Sequence, residues 1–207
     1  MAVTTLSGYR AGMVARLPDC PVNLLNQALQ LGSREFCQDT EAFRQELTAM
    51  DLVADQKEYT LSAPAGYEIS RVFEVRLLTE DEVTDGDEGT VQSTNKYEYD
   101  IQTGTLTFYS APSTEAVTGG LVIEVVLLPL EDGAVLDAEF MRRWGRTIQD
   151  WAYWWLFSMD GKPWASETQA AAFFNRYRRG VVTSRVDGAR LYTSRELRMQ
   201  AAGFLER

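Results

Sequence analysis

One change of period decides most of what this chain can become. Phe140, Trp144, Ile148, Trp151 and Trp155 recur at steps of four, four, three and four, the spacing of one helical face. Between Lys57 and Leu130 the signals are those of strands instead. Ile69, Arg71, Phe73, Val75 and Leu77 alternate with Val72, Glu74, Arg76 and Leu78. Leu121 to Leu128 is β-branched and apolar, hence a central strand, and Pro129 stops it. Before this β region, Val22, Leu25, Leu29 and Phe36 follow Asp19-Cys20-Pro21 at helical spacing. One β segment therefore lies between helices.

Finer signals fill in this plan. The spacing predicts a helix over 21–38. Residues 1–18 show little periodicity and read as a loose arm. Phe43, Leu47, Met50 and Val53 suit either a continued helix or a strand, and the need of the following β segment for a partner favours a strand. Glu58 to Leu61 is a short strand ended by Pro64 and Gly66. Tyr97, Tyr99 and Ile101 run into the turn Gln102-Thr103-Gly104, and Leu106, Phe108 and Ser110 run back, a clear hairpin. Five or six strands result. Asp137 is the expected N-cap of a helix that Asp160-Gly161-Lys162-Pro163 breaks. Ser166-Glu167-Thr168-Gln169 has the form of a capping box for a last helix reaching about Val186, with Gly188 marking its end.

The fold class expected is α+β: a small bundle of three main helices, an inserted antiparallel β lobe, and an extended C-terminal tail. The divisions are 1–40, arm and first helix; 41–135, β lobe; 136–188, C-terminal helices; and 189–207, tail. The tail is basic and amphipathic at best, with room for a short helix near Arg195–Ala202. The 207 residues suit one domain, or one domain with a sizeable insertion.

Composition removes several kinds of chemistry. The chain has no histidine, so a Ser-His-Asp or Cys-His nucleophile, a His-ligated metal and a histidine pH switch are excluded. Cys20 and Cys37 are too few for a four-thiolate zinc site and read as free, partly buried thiols; nothing favours a disulfide between them. Gly119-Gly120 precedes a strand rather than a helix, so it is no phosphate loop. The first twenty residues carry Arg10 and Arg16 without the apolar core of a secretory signal, and Trp151–Met159 is far short of a membrane span. A cytoplasm-like medium is expected.

Charge is unevenly placed. Residues 1–36 carry net +1, residues 37–138 net −16 and residues 139–207 net +5, within a total of −10. The densest acidic cluster comprises Glu80, Asp81, Glu82, Asp85, Asp87 and Glu88. Its spacing does not match a calcium loop, and it reads as a solvated loop rather than a cation site or a hydrolytic carboxylate pair. The C-terminal third interleaves Arg142, Arg143, Arg146, Arg176, Arg178 and Arg179 with aromatic residues. Such a run suits phosphate contact and base stacking, but the apolar members fall on one helical stripe, which makes the arginines an outer face. The five tryptophans, Trp144, Trp151, Trp154, Trp155 and Trp164, lie within 21 residues. One stripe cannot bury them all, so some must meet the β lobe or a neighbouring subunit.

The ordered set of features resembles a known family. Arg34-Glu35-Phe36-Cys37-Gln38-Asp39-Thr40 follows a Pro-started helix. Gln56-Lys57-Glu58-Tyr59-Thr60-Leu61 opens the β segment, Leu127-Leu128-Pro129-Leu130 closes it, and Gly161-Lys162-Pro163-Trp164-Ala165 separates two helices. This order is similar to that of the head-to-tail adaptor (connector) proteins of tailed bacteriophages, over roughly residues 20–186. The resemblance implies a structural virion protein of the neck, assembled in the host cytoplasm, without enzymatic activity or cofactor. It implies a ring, usually of twelve copies, that joins the portal to the tail or nozzle protein and passes DNA through its lumen without sequence-specific binding. On that reading Arg142, Arg143, Arg146, Trp154, Trp164, Arg178 and Arg179 are candidate inter-subunit contacts. Arg190, Tyr192, Arg195, Arg198 and Phe204 of the tail are candidates for docking on the portal. The competing readings are a DNA-binding or packaging accessory factor using the basic helices, and a carboxylate-dependent hydrolase using Asp81 or Asp85.

Overall fold

The computed structural model describes residues 3–5, 7–86, 89–113, 115–130 and 135–205, with the backbone alone for 3–5, 7, 135–137 and 188–205. In chain order the elements are β1 (Val3–Thr5), α1 (Ser7–Arg16), α2 (Val22–Thr40), β2 (Arg44–Glu46), β3 (Met50–Leu52), β4 (Glu58–Thr60), β5 (Tyr67–Leu77) and α3 (Glu80–Asp85). Then come β6 (Thr90–Val91), a 3₁₀ turn (Thr94–Lys96), β7 (Tyr97–Asp100), β8 (Thr105–Phe108), β9 (Val117–Pro129), β10 (Val135–Asp137), α4 (Ala138–Phe157) and α5 (Glu167–Leu205). The chain divides into two compact units, one formed by Met1–Ala42 with Glu131–Arg207 and the other by Phe43–Leu130.

The first unit is helical. In α2 the positions Leu25, Ala28, Leu29, Gly32, Phe36 and Cys37 are buried, three and four apart, as the sequence stripe requires. Buried hydroxyls on the same helix close on carbonyls one turn back, Ser33 Oγ donating to Leu29 O at 2.6 Å and Thr40 Oγ1 to Phe36 O at 2.6 Å. Glu41 then turns into the left-handed region (φ 51°) and its N–H caps the Cys37 carbonyl. Phe36 packs on Phe140 and Trp144 of α4, ring centroids 6.0 and 5.5 Å away. Gly32 lets α2 approach α4: a Cβ there would sit 3.0 Å from the Trp151 ring and 3.1 Å from the Ile148 carbonyl oxygen. On α5 the residues Phe173, Tyr177, Val181 and Ser184 face inward. A two-stranded antiparallel ladder of β1 and β10 completes this unit.

The second unit is β. β9 is central, pairing antiparallel with β2, β3 and β5, and β6 adds to the far edge of β5. Its burial is nearly continuous, which is why its sequence is apolar on both faces. A three-stranded sheet has the order β4-β8-β7. Its β7–β8 hairpin turns on Asp100, whose carboxylate accepts from Gln102 N at 2.8 Å and Thr103 Oγ1 at 2.9 Å, with Gly104 at φ 67°. Tyr59 and Tyr97 meet Phe108 edge-on, centroids 5.9 and 6.0 Å apart. Arg76, 7% exposed, is held between Glu46 and Glu74.

Three expectations change. The supposed arm of residues 1–18 carries β1 and α1, because Met13 and Leu17 are fully enclosed and Tyr9 Oη donates to Met141 O at 2.7 Å. Four helices longer than one turn, not three, therefore build the first unit. The tail is not extended: α5 runs through Gly188 to Leu205, since an interior glycine weakens a helix by about 1 kcal/mol without stopping it. The acidic segment is α3 rather than a loop, nucleated by a complete capping box between Thr79 and Glu82. Between Lys57 and Leu130 six strands, β4 to β9, are found among the described residues, within the five or six expected, and β2 and β3 precede them.

Candidate assembly surfaces

The aromatic stripe of α4 sorts by depth. Trp144, Trp151 and Tyr153 are buried, while Trp154 and Trp155 are half-buried. Trp151 stacks on Trp155 at 6.3 Å and meets Trp154 edge-on at 5.5 Å; Trp154 continues onto Phe174 of α5 at 4.9 Å. Trp164, in the α4–α5 connection, is half-buried, and its Nε1 is enclosed without a hydrogen-bond partner among the described residues. Packing between α4 and α5 thus takes up aromatic surface that the stripe alone could not bury. No tryptophan is left fully exposed.

The arginines fall into two groups. Arg142 pairs with Glu139 on its own helix at 3.6 Å, both ends exposed. Arg143 pairs with Asp187 at 3.2 Å and lies 5.2 Å over Trp144, so it ties α4 to α5. Arg185 donates from Nε to the Asp39 carbonyl at 2.8 Å, and Tyr177 Oη donates to the Asp39 carboxylate at 2.6 Å. Burial and that carboxylate push the Tyr177 phenol far above its usual range, so it stays a donor. Arg178 is exposed, 6.0 Å over Phe174, and Arg179 is exposed.

The second group was not legible as a group. Arg16 of α1 and Arg176 of α5 lie on the same buried ring, their Cζ atoms 4.7 and 4.9 Å from the Phe173 centroid. Arg16 also lies 5.4 Å over Tyr153 and donates to Gln169 Oε1 at 3.4 Å. Arg146 stands one turn before Asp150 on α4. Burial raises the Asp150 carboxyl above its usual range, against the opposing pull of Arg176, Arg146 and Arg16. Among the described residues, none of these three arginines is in a salt bridge. Arg176 belongs to the basic run, but Arg16 lies in the segment expected to be loose, so its place beside Asp150 had no signal in the sequence.

The acidic side is simpler. Glu80, Asp81 and Asp85 are exposed on α3; Asp87 and Glu88 lie outside the described residues. Among the described residues, no group of three or more carboxylates or thiols is placed to hold a metal ion. α3 borders an open groove of about 540 Å³ whose floor includes Leu52, Leu78 and Val117 and whose rim carries Glu80, Asp81 and Glu115. Cys20 and Cys37 are buried free thiols, and burial pushes both up in pKa. Arg190, Tyr192, Arg195, Arg198 and Phe204 all lie on the continuous backbone of α5, but their side chains are outside the described residues.

A family model, that of the SU10 adaptor protein, matches residues 3–200. The chain belongs to the SU10 adaptor family. The match agrees with the resemblance to phage head–tail adaptors and extends it at both ends, over α1 and most of α5. Membership marks the chain as a structural adaptor of a bacteriophage, in keeping with a virion component. Families of this kind are typically without catalytic activity. No curated protein matches the chain significantly. No helix among the described residues is long and apolar enough to cross a membrane.

Proposed function

We propose that this adaptor forms a ring of twelve copies in the virion neck, joining the portal to the tail and continuing the channel through which DNA passes. The family match over residues 3–200 carries the reading. Supporting it, the two units differ in charge, the Phe43–Leu130 unit having net −11 and the remainder net +1. A ring closes through a heterologous contact, in which one face meets a different face of the next copy, and dissimilar units supply two such faces. Acidic residues turned toward the lumen let DNA slide rather than stick. The end of α5, with Arg190, Tyr192, Arg195, Arg198 and Phe204, docks on the portal.

Mass measurement of the protein alone and mixed with portal tests the ring: a discrete multiple of the chain mass is expected, and a monomer in both samples overturns it. Removal of residues 189–207 is expected to abolish portal capture in a pull-down while leaving the remaining chain folded. Undiminished capture removes the docking role from this segment.

A further inference from the structure

The arginine group on α1, α4 and α5 has no structural task that uses up its charge. Arg16 and Arg176 share the Phe173 ring, and together with Arg146 they act on the one half-buried carboxylate of Asp150. Arg16 and Arg176 are laid flat on Phe173, so their stems are ordered before any partner arrives, which lowers the entropy lost on binding. All three are exposed. The groove beside α3 is the opposite in kind. Its floor is apolar, its rim carries Glu80, Asp81 and Glu115, and among the described residues no basic side chain lines it.

We propose that the groove beside α3 receives the Arg16–Arg146–Arg176 face of a second copy of this chain, and that this pairing is the head-to-tail contact between neighbouring subunits. The inference rests on the ring reading above and adds the two surfaces that meet. Charge complementarity selects the occupant. A guanidinium fits an acidic rim over an apolar floor because its planar head pairs with carboxylates while its methylene stem covers hydrocarbon. The same face could attract a phosphate backbone, but the chain carries net −10, and its own Phe43–Leu130 unit, at net −11, supplies the complementary carboxylates. Opposite charges at such a contact set register and exclude the wrong pairing of like surfaces.

Cysteine trapping between full-length chains tests the contact. Arg176→Cys in one preparation and Asp81→Cys in another, differently tagged, are mixed under mild oxidation. The natural Cys20 and Cys37, 6% and 0% exposed, do not compete. A disulfide-linked heterodimer is expected in large excess over that from a control mixture of Arg176→Cys with Ile101→Cys. A yield no greater than the control overturns the inference, as does closure within single chains carrying both Arg176→Cys and Asp81→Cys. Charge exchange gives a second readout. Arg146→Glu/Arg176→Glu and Glu80→Lys/Asp81→Lys should each weaken self-association at least tenfold, and an equimolar mixture of the two should restore it. No restoration counts against the pairing, and salt-dependent duplex binding that Arg146→Glu/Arg176→Glu abolishes, with no trapped heterodimer, assigns the face to DNA. Ring closure is read separately by mass: a closed wild-type ring with no trapped heterodimer leaves the ring reading standing and this contact refuted, whereas trapped pairs without a ring do the reverse.

Discussion

The two units of this adaptor are stabilised in different ways. The helical unit is held by aromatic rings: Phe36 on Phe140 and Trp144, Trp154 on Phe174, Tyr153 and Phe157 on Phe173. The β unit is held by a ladder around β9 and includes a buried charged side chain, Arg76, paired with the largely enclosed Glu74 and with the exposed Glu46. Apolar packing tolerates small shifts, whereas a buried ion pair fails when one partner is lost. The charges follow the same division only in sum, the Phe43–Leu130 unit carrying net −11 and the helical unit net +1. An assembly protein with two unlike surfaces on two separately stabilised units has one surface to offer each neighbour.

This contrast orders the expected effects of mutation. Phe36→Ala should be the most damaging, lowering unfolding free energy by about 3–5 kcal/mol because the ring is fully buried and its neighbours cannot all collapse. Arg76→Ala should lower it by roughly 3–4 kcal/mol, leaving the buried Glu74 carboxylate without its cation, while Arg76→Met with Glu74→Gln should recover most of that loss. Urea titrations of the three proteins check both, and similar losses for the single and double variants would erase the distinction between the units. Asp150→Asn should raise stability slightly at neutral pH. The folded carboxyl sits above its unfolded range, so ionisation opposes folding at neutral pH and the penalty fades as pH falls through that raised value. A melting point that falls with Asp150→Asn would mean that the arginines outweigh the burial. Arg142→Ala should be nearly silent, about 0–0.5 kcal/mol, because both ends of its pair with Glu139 are in water.

Strong periods made the central features readable. The stripe from Phe140 to Trp155 is α4, the alternation from Ile69 is β5, the strand favoured after Thr40 is present as β2 and β3, and the hairpin at Gly104 is where its turn residues require it. What escaped had weak or mixed signals. Among the described side chains of α1 only Met13 is buried, with Leu17 just beyond, too few positions for a stripe, and its place depends on long-range bonds such as Tyr9 to Met141. α3 reads as a charge run because none of its residues is buried; a capping box, legible as Thr79 and Glu82, was the missed signal. α5 outruns its apolar stripe because the residues beyond Asp187 keep helical backbone through a glycine. The arginine group on Phe173 is assembled from three helices, and no single window of sequence contains it.

The uninterrupted length of α5 has a consequence for how this adaptor can vary. A helix of 39 residues spans roughly 58 Å, and inserting one residue advances everything after it by about 1.5 Å and swings it by about 100°. On the proposed docking role, the end of the helix near Leu205 and the bundle-packing residues near Phe173 are therefore geared together. Functional variants of this segment should gain or lose length in whole turns, three or four residues at once, with intermediate lengths pointing the far end away from its target.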